Sequence, residues 1–238
     1  MRMYGYGYGY YGFDWTYVLL IIGMLLSLAA STRLKSTFSY YRRIRSASGL
    51  TGAETAERIL RAAGITDVHV RAISGSLTDH YDPRTKTVSL SEDIYDKTSL
   101  VAVGVAAHEC GHAIQHAIGY APLEFRSAIV PVANFGSTLS WPLFLIGLFS
   151  GIRPLVTAGI VLFSLAVLFQ LVTLPVEINA SSRALKMLQS TGILGSDETK
   201  GARKVLTAAA MTYVAALAAS ILQLLRLLIL AGGRRRDD

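Results

Sequence analysis

Four long apolar runs dominate the hydrophobic pattern of the chain. They cover residues 15–31, 127–150, 155–176 and 205–231, and the last of them is interrupted by two polar side chains, Gln223 and Arg226. A helix that crosses a bilayer needs about 20 predominantly apolar residues, so each run is long enough to span a membrane. The pattern therefore predicts a helical membrane protein with several spans.

The stretch between the first two runs, residues 32–126, has the pattern of a small water-facing fold. Thr51 and Glu54 form a capping box that opens a helix, and Gly64 marks the end of that helix. A second helix is predicted over residues 101–118, a run rich in Val, Ala and Ile that contains no proline.

Two short segments of this stretch alternate between apolar and polar side chains, as half-buried strands do. They are residues 68–74 and 86–91, and a turn signal at 82–84 comes just before the second of them. We expect a small β-hairpin ahead of the second helix. Such a strand could hold an extended substrate by main-chain hydrogen bonds, or serve only as scaffold. The predicted fold class is mainly α: a multi-span helical membrane protein with a small α+β cytoplasmic portion.

Composition and charge support a membrane protein over a nucleic-acid-binding one. The chain is 52% hydrophobic and only 16% charged, which is too apolar for an ordinary soluble domain of 238 residues. Its net charge is +7, but the basic residues gather beside the apolar runs, as they do in membrane proteins. We therefore expect the lipid bilayer as a partner and no nucleic acid.

The basic residues also predict an orientation in the membrane. Few charges precede the first run, whereas the segment after it carries Arg33, Lys35, Arg42, Arg43 and Arg45. By the positive-inside rule the Gly- and Tyr-rich tail 1–14 lies outside, and residues 32–126 and 177–204 lie in the cytoplasm. The same charge order opposes the alternative of a signal peptide cleaved near residues 27–29.

The C-terminal tail, residues 232–238, conflicts with this orientation. Four crossings place Arg234, Arg235 and Arg236 outside, against the positive-inside rule. Two explanations stay open: the short tail crosses regardless, or the last run is not a simple crossing.

A short motif inside the second predicted helix carries the candidate chemistry. His108, Glu109 and His112 match the pattern H-E-x-x-H. Residues four apart on an α-helix are offset by about 40° and about 6 Å, so both imidazoles can reach one Zn²⁺ at about 2.0–2.1 Å. Glu109 then lies beside the ion, where it can take a proton from the attacking water. The motif predicts one zinc ion per chain and Glu109 as the general base.

Two other interpretations of the motif compete with a metal site. One is a chance match, since the chain has five histidines, and the other is a pair of core histidines satisfied by hydrogen bonds. Burying two imidazoles and a carboxylate among Val, Ala and Ile is costly unless a metal compensates, which favours the metal. Cys110 is the only cysteine, so an internal disulfide is excluded, and we expect it to pack as a small hydrophobe.

A catalytic zinc takes three protein ligands and keeps a fourth position open. His116 lies about 12 Å along the helix axis from His108, too far to share one ion. The pattern H-E-x-x-H-x-x-G-x-x-H also fails, because Gln115 and Ile118 occupy its Gly and last His positions. Glu177 directly follows the third run and should reach the same membrane face, although an ordinary interfacial carboxylate remains the alternative.

Two longer stretches carry a family resemblance. The sequence HECGHAIQH at 108–116 and PVEINASSRAL at 175–185, in this order of spans, resembles the bacterial neutral zinc metallopeptidase family of membrane proteins (YugP-like) over about residues 32–225. That family is similar to gluzincin-type membrane peptidases, which include the CAAX prenyl protease and the HtpX heat-shock peptidase. The resemblance implies Glu177 as the third zinc ligand. Together with the orientation predicted from the basic residues, it leads us to expect a multi-pass protein of the bacterial plasma membrane with its active site on the cytoplasmic side.

One position departs from the pattern of these relatives. They carry an Asp four residues after the ligand Glu, where it orients a zinc-binding His, but here that position is Ser181. Asn179 and Ser181 both stay open as the partner of a ligating His. Such hydrogen bonds matter because they fix the tautomer and direction of the imidazole.

The expected function is hydrolysis of internal peptide bonds in peptide or membrane-protein substrates at the cytoplasmic membrane face. A non-cleaving zinc-dependent scaffold or chaperone subunit is the first alternative, and a transporter is the second. An intact Glu109 disfavours the scaffold, because a structural zinc site needs no base. The residue that stabilises the oxyanion stays open among Tyr213, His80 and Arg183, and the oligomeric state and natural substrate stay unknown.

Overall fold

In this computed structural model, which describes residues 14–233, six helices and three strands follow the chain. The helices are α1 Tyr17–Tyr41, α2 Gly52–Ala62, α3 Leu100–Ala117, α4 Ala121–Ser150, α5 Arg153–Ser190 and α6 Ser196–Gly233. The strands are β1 His69–Ile73, β2 His80–Asp82 and β3 Thr87–Ser91. Among the described residues α1, α4, α5 and α6 are long and apolar enough to cross a membrane. The predicted fold class is confirmed.

The membrane helices extend beyond the apolar runs from which they were predicted. α5 continues without a break through Glu177 to Ser190, and α6 begins at Ser196, well before its apolar run. The predicted segment 177–204 therefore consists of the ends of two long helices and the short connection between them. Glu177 is therefore held on a continuous helix and not on a loop. The Gly/Tyr tail, up to residue 13, and the arginines of the C-terminal tail lie outside the described residues.

Arg226, which interrupts the last apolar run, is buried against the start of α1. Its Nε donates to the Thr16 Oγ1 at 3.3 Å, its Nη2 lies 3.9 Å from the Asp14 Oδ2, and its guanidinium sits 4.7 Å from the centre of the Tyr17 ring. A charge in an apolar run is costly unless it is paired, and these groups provide the pairing. The helix α6 therefore continues through this position.

The sheet corrects one prediction. β3 lies in the centre and is buried along its whole length, with β2 antiparallel to it on one side and β1 parallel to it on the other. A hairpin is present, but its first strand is His80–Asp82, so the prediction that residues 68–74 form that strand was wrong. β2 is only three residues long, which is too short for alternation to reveal it in the sequence.

The water-facing portion is built as its local signals predicted. The Thr51 side chain accepts from the Glu54 backbone N–H, the Glu54 side chain accepts from the Thr51 N–H, and the helix ends before Gly64, whose φ is +72°. α2 and β3 pack on α3, so that α3 lies between them and the membrane helices α5 and α6. The centre of this core is apolar and fully buried: Ile59, Leu60, Val88, Leu90, Ile94, Val101 and Val103.

Candidate metal centre

Three side chains from two helices converge next to the core. His108 and His112 lie one turn apart on α3, and Glu177 reaches them from α5. The Glu177 Oε2 is 3.3 Å from the His108 Nε2 and 3.7 Å from the His112 Nε2. One ligand atom from each residue lies within 4.8 Å of the other two.

This geometry suits a zinc ion. Ligand atoms about 2.1 Å from a tetrahedral centre are about 3.4 Å apart, and the two distances to the Glu177 oxygen lie close to that value. Two neutral imidazole nitrogens and one carboxylate oxygen are also the donor set that zinc takes in catalytic sites. The residues present therefore fit the metal in both spacing and chemistry.

A buried amide orients His112. The Gln115 Nε2 donates to the Val176 carbonyl at 2.9 Å and to the Asn179 Oδ1 at 3.0 Å, which leaves the Gln115 Oε1 as an acceptor. The His112 Nδ1 lies 3.0 Å from this oxygen and donates to it, so that the Nε2 lone pair faces Glu177. Arg183 completes the chain, since its Nε donates to the Asn179 Oδ1 at 2.7 Å.

His108 has a different partner. Its Nδ1 lies 3.1 Å from the Ser181 Oγ, on the next turn of α5 after Glu177. Ser181 and Asn179 were both candidates for the hydrogen-bond partner of a ligating histidine. Ser181 contacts His108 directly, whereas Asn179 is connected to His112 only through Gln115. A hydroxyl can accept from the Nδ1–H as a carboxylate would, but it adds no negative charge near the site.

A glycine within the motif sets the distance between the two helices. At Gly111 a Cβ atom would lie 2.5 Å from the carbonyl oxygen of Ala180, which is closer than any real contact. Only glycine lets the α3 and α5 backbones approach this closely. Because Ala180 lies between Glu177 and Ser181 on α5, this contact controls how near both side chains come to the two histidines.

Glu109 lines a cavity that reaches two of the three candidate ligands, His108 and Glu177. The cavity has a volume of about 160 Å³, and its walls include His108, Glu177 and Tyr213. Glu109 is only 7% exposed, and its side chain shares the cavity wall with His108 and Glu177. The carboxylate predicted to act as the base therefore borders the same space as two of the candidate ligands.

The three candidates for stabilising an oxyanion separate in space. Tyr213 lines the cavity, whereas His80 is exposed on β2 and hydrogen-bonds through its Nδ1 to the Thr78 carbonyl at 2.8 Å. Arg183 is held by Asn179 and lies 5.9 Å from the centre of the Tyr120 ring, away from the cavity. Only Tyr213 of the three lies where a bound substrate could meet it.

His116 lies outside the cluster. Its Nδ1 shares a 2.8 Å hydrogen bond with the Tyr81 hydroxyl of β2. Burial, with a smaller contribution from the charges of Asp67 and Asp82, raises the pKa of Tyr81 to about 12, so the phenol stays protonated. His116 therefore links α3 to the sheet.

Two residues near the ligands were not singled out in the sequence. Gln115 could have been found from its position three residues after His112, which puts both side chains on one helix face. Arg126 of α4 could not, since its Nη1 lies 3.9 Å from the Glu177 Oε1 only because α4 and α5 pack together.

The acidic surroundings of His112 favour its charged form. Burial lowers its pKa, but the hydrogen bond to Glu177 and the charges of Glu109 and Glu177 together outweigh burial and hold the pKa above its ordinary value. A cation is thus favoured at this position, and a proton competes with a metal ion for it.

Fold and site together define a class: a helical membrane protein with a His-His-Glu cluster that could hold a metal ion and a further carboxylate, Glu109, beside it. Comparison with known proteins agrees, since residues 16–232 match the family described as "Putative neutral zinc metallopeptidase", and the chain belongs to this family. It is similar to the "Putative membrane protease YugP" of Bacillus subtilis (strain 168), with 49% identity over 217 residues that cover 91% of this chain and 96% of that protein. No solved structure matches the chain.

Proposed function

We propose that the protein is a zinc-dependent endopeptidase that hydrolyses peptide bonds at the cytoplasmic face of the membrane. One observation carries this proposal: His108, His112 and Glu177 bring their ligand atoms within 4.8 Å of one another, with Glu109 at the adjoining cavity. A structural zinc site has no use for a carboxylate that borders an open cavity without belonging to the ligand set. The family to which the chain belongs supports the same activity.

Zinc would be held by the Nε2 atoms of His108 and His112 and by the Glu177 carboxylate. When bound, it supplies a Lewis acid that polarises the scissile carbonyl and lowers the pKa of water. Ser181 and Gln115 keep the two imidazoles in the tautomer whose Nε2 lone pair faces the ion.

Glu109 moves the proton. It takes one proton from the attacking water as the oxygen bonds to the carbonyl carbon, and delivers it to the amide nitrogen when the C–N bond breaks. The products are a carboxylic acid and an amine, so atoms and charges balance. The Tyr213 hydroxyl is our choice of donor to the developing oxyanion, because it lies in the wall of the same cavity.

The test separates catalysis from metal binding. Glu109→Gln should retain about one zinc per chain and lose about 100-fold or more of the rate on fluorescently labelled casein, since a general base contributes about 10²–10⁴-fold. Glu57→Gln, on the exposed side of α2, is the matched control and should change neither quantity. Cleavage by the Glu109→Gln protein at the wild-type rate would reject Glu109 as the base, whereas zinc binding without cleavage by the wild-type protein would favour a non-cleaving scaffold.

Glu177→Ala should strip the metal from the protein. Removing one of three protein ligands leaves two imidazoles, so zinc measured by mass spectrometry should fall well below one per chain. A full complement of zinc in this variant would mean that another residue is the third ligand.

The proposed cytoplasmic side of the site has a separate test. α1 ends, α4 begins, α5 ends and α6 begins at the end of the membrane helices that carries α3. Ser48→Cys and Ser150→Cys should therefore react from opposite sides with a membrane-impermeant maleimide, Ser48→Cys only after the cells are opened. The native Cys110 is buried and should stay silent. Labelling of both variants from one side would reject this topology.

A further inference from the structure

Two cavities lie along the membrane helices α1 and α6. The one at the metal site is bordered by Leu34 and Phe38 of α1 and by Tyr213 of α6. A second cavity, of about 350 Å³, lies further along the same helices, and we call it the membrane groove. Its walls come from all four membrane helices: Leu20, Gly23, Met24 and Ser27 of α1, Trp141 of α4, Phe163 of α5, and Ala219, Ser220 and Gln223 of α6.

The two cavities lie on the same helix faces. On α5, Glu177 and Phe163 are separated by 14 residues, with Gln170 midway between them. On α6, Tyr213 and Ser220 are seven residues apart. Seven residues make two helical turns with a drift of only about 20°, and a rise of about 10 Å. The membrane groove therefore begins about two turns from the metal centre and points toward it.

The groove opens sideways to the membrane. α1 packs on α6, and α4 packs on α5, so α1 and α4 stand on opposite sides of the groove with α5 and α6 behind it. On these two sides Met24 of α1 is 62% exposed and Trp141 of α4 is 37% exposed. An apolar molecule can thus enter from the bilayer without passing through the water-facing portion.

Two glutamines carry amide atoms without partners among the described residues: Gln223 in the wall of the groove, and Gln170, which lies behind the wall residue Ser220. Gln223 is 9% exposed, and neither its Oε1 nor its Nε2 has a hydrogen-bond partner within residues 14–232. Gln170 donates to the Ser220 Oγ at 2.9 Å, but its Oε1 has no partner in the same part of the chain. Unsatisfied polar groups at this depth are costly, because no water is at hand to bond them.

The chemistry of these amides selects the occupant. A lipid acyl chain offers no hydrogen-bonding group, and an unbroken helix has already used its backbone N–H and C=O groups. A helix that is broken within the membrane exposes both, and a peptide must be unwound in any case before a peptidase can cut it. We propose that the membrane groove binds a membrane-embedded substrate segment whose helix is broken, that Gln223 bonds its free backbone groups, and that Gln170 supports the groove wall through its hydrogen bond to Ser220.

This inference rests on the proposed peptidase function, but its test does not need catalysis. The full chain with Glu109→Gln is reconstituted in phosphatidylcholine nanodiscs with a photo-crosslinking benzoylphenylalanine at Met24. The probe is a synthetic Leu/Ala helix of about 20 residues, prepared with and without a central Gly-Pro break. The same crosslinker at Ile22, which is 43% exposed on the other side of α1, is the control.

The broken peptide should crosslink from Met24 about tenfold more than the unbroken one, and the two should not differ from Ile22. Gln223→Leu should reduce this yield about tenfold, the effect of one lost hydrogen bond in an apolar setting, and Gln170→Leu should reduce it as well. Gln189→Leu, an exposed Gln-to-Leu change elsewhere on α5, should have no effect. Zinc content and thermal midpoint show that each variant is folded.

Three results would overturn the inference: equal yields for both peptides, capture of phospholipid alone, or an unchanged yield in both glutamine variants. These results are distinct from failure of the peptidase proposal. Intact crosslinking with no cleavage by the wild type would reject the peptidase and keep the groove. Cleavage of casein without selective crosslinking would keep the peptidase and reject the groove.

Discussion

Gly111→Ala tests whether the close approach of α3 and α5 builds the metal centre. The added Cβ would lie 2.5 Å from the Ala180 oxygen and 3.0 Å from its carbonyl carbon, and both are backbone atoms that cannot rotate away. Reaching an ordinary contact requires the helices to separate by roughly 0.5–1 Å, whereas zinc–ligand distances tolerate about 0.2 Å. Glu177 moves with α5, so its oxygen should leave the reach of the two imidazoles.

The expected cost has two parts. Overpacking destabilises by about 1–3 kcal/mol, and replacing a helical glycine by alanine recovers at most about 1 kcal/mol of it. Zinc affinity should fall about tenfold or more, because a shift of this size costs at least about 1.4 kcal/mol of ligand geometry. Chelator competition measures the affinity, and thermal unfolding of the metal-free protein measures the packing cost separately.

Gly104→Ala is the matched control on the same helix. A Cβ at this position would lie 3.7 Å from the Ala202 Cβ, an ordinary contact. The variant should bind zinc normally and be as stable as wild type or more stable, by up to about 1 kcal/mol from helix propensity. If Gly111→Ala behaves like Gly104→Ala in both assays, the close approach does not position the ligands, and our account of the site is wrong.

Three further predictions follow from single contacts. Gln115→Leu should weaken zinc binding about 10–100-fold by freeing the His112 ring, with an unchanged affinity as the contrary result. Because the hydrogen bond to Glu177 and the charges of Glu109 and Glu177 raise the pKa of His112 in the metal-free site, zinc binding should release a proton from it up to a higher pH than at an ordinary histidine; calorimetry of zinc binding in buffers of different ionisation enthalpy checks this, and no proton release above the ordinary histidine range would contradict it. Thr51→Ala should cost about 1 kcal/mol of unfolding free energy at neutral pH. The Thr51 hydroxyl accepts from the Glu54 N–H at any pH, but it also donates to the Glu54 carboxylate, whose pKa is lowered by its hydrogen bonds to Thr51. The carboxylate's part of the cost is therefore present above the ordinary Glu pKa and is lost as the pH falls through the lowered one; a cost of the same size at neutral and acid pH would exclude the carboxylate as a contributor.

Local signals explain which elements could be predicted. The four membrane helices, the capping box at Thr51 and the helix of the H-E-x-x-H motif all depend on side chains within one or two turns of one another. The pairing of the strands could not be predicted from such local signals, because it depends on contacts between distant segments. His80–Asp82 becomes the partner of β3 through its place in the fold, although residues 68–74 have the stronger alternating pattern.

The sequence by itself determined the chemistry available at the site. Two imidazoles and a carboxylate on one turn of a helix are a consequence of helical periodicity, and the spans are a consequence of apolar length. Only the tertiary structure decided which distant groups meet them. Ser181 contacts His108 across 73 positions of the chain, and Gln115 reaches Asn179 across 64. The physical reason is that α3 and α5 approach at Gly111, a contact of backbone atoms that leaves no periodic trace in the sequence.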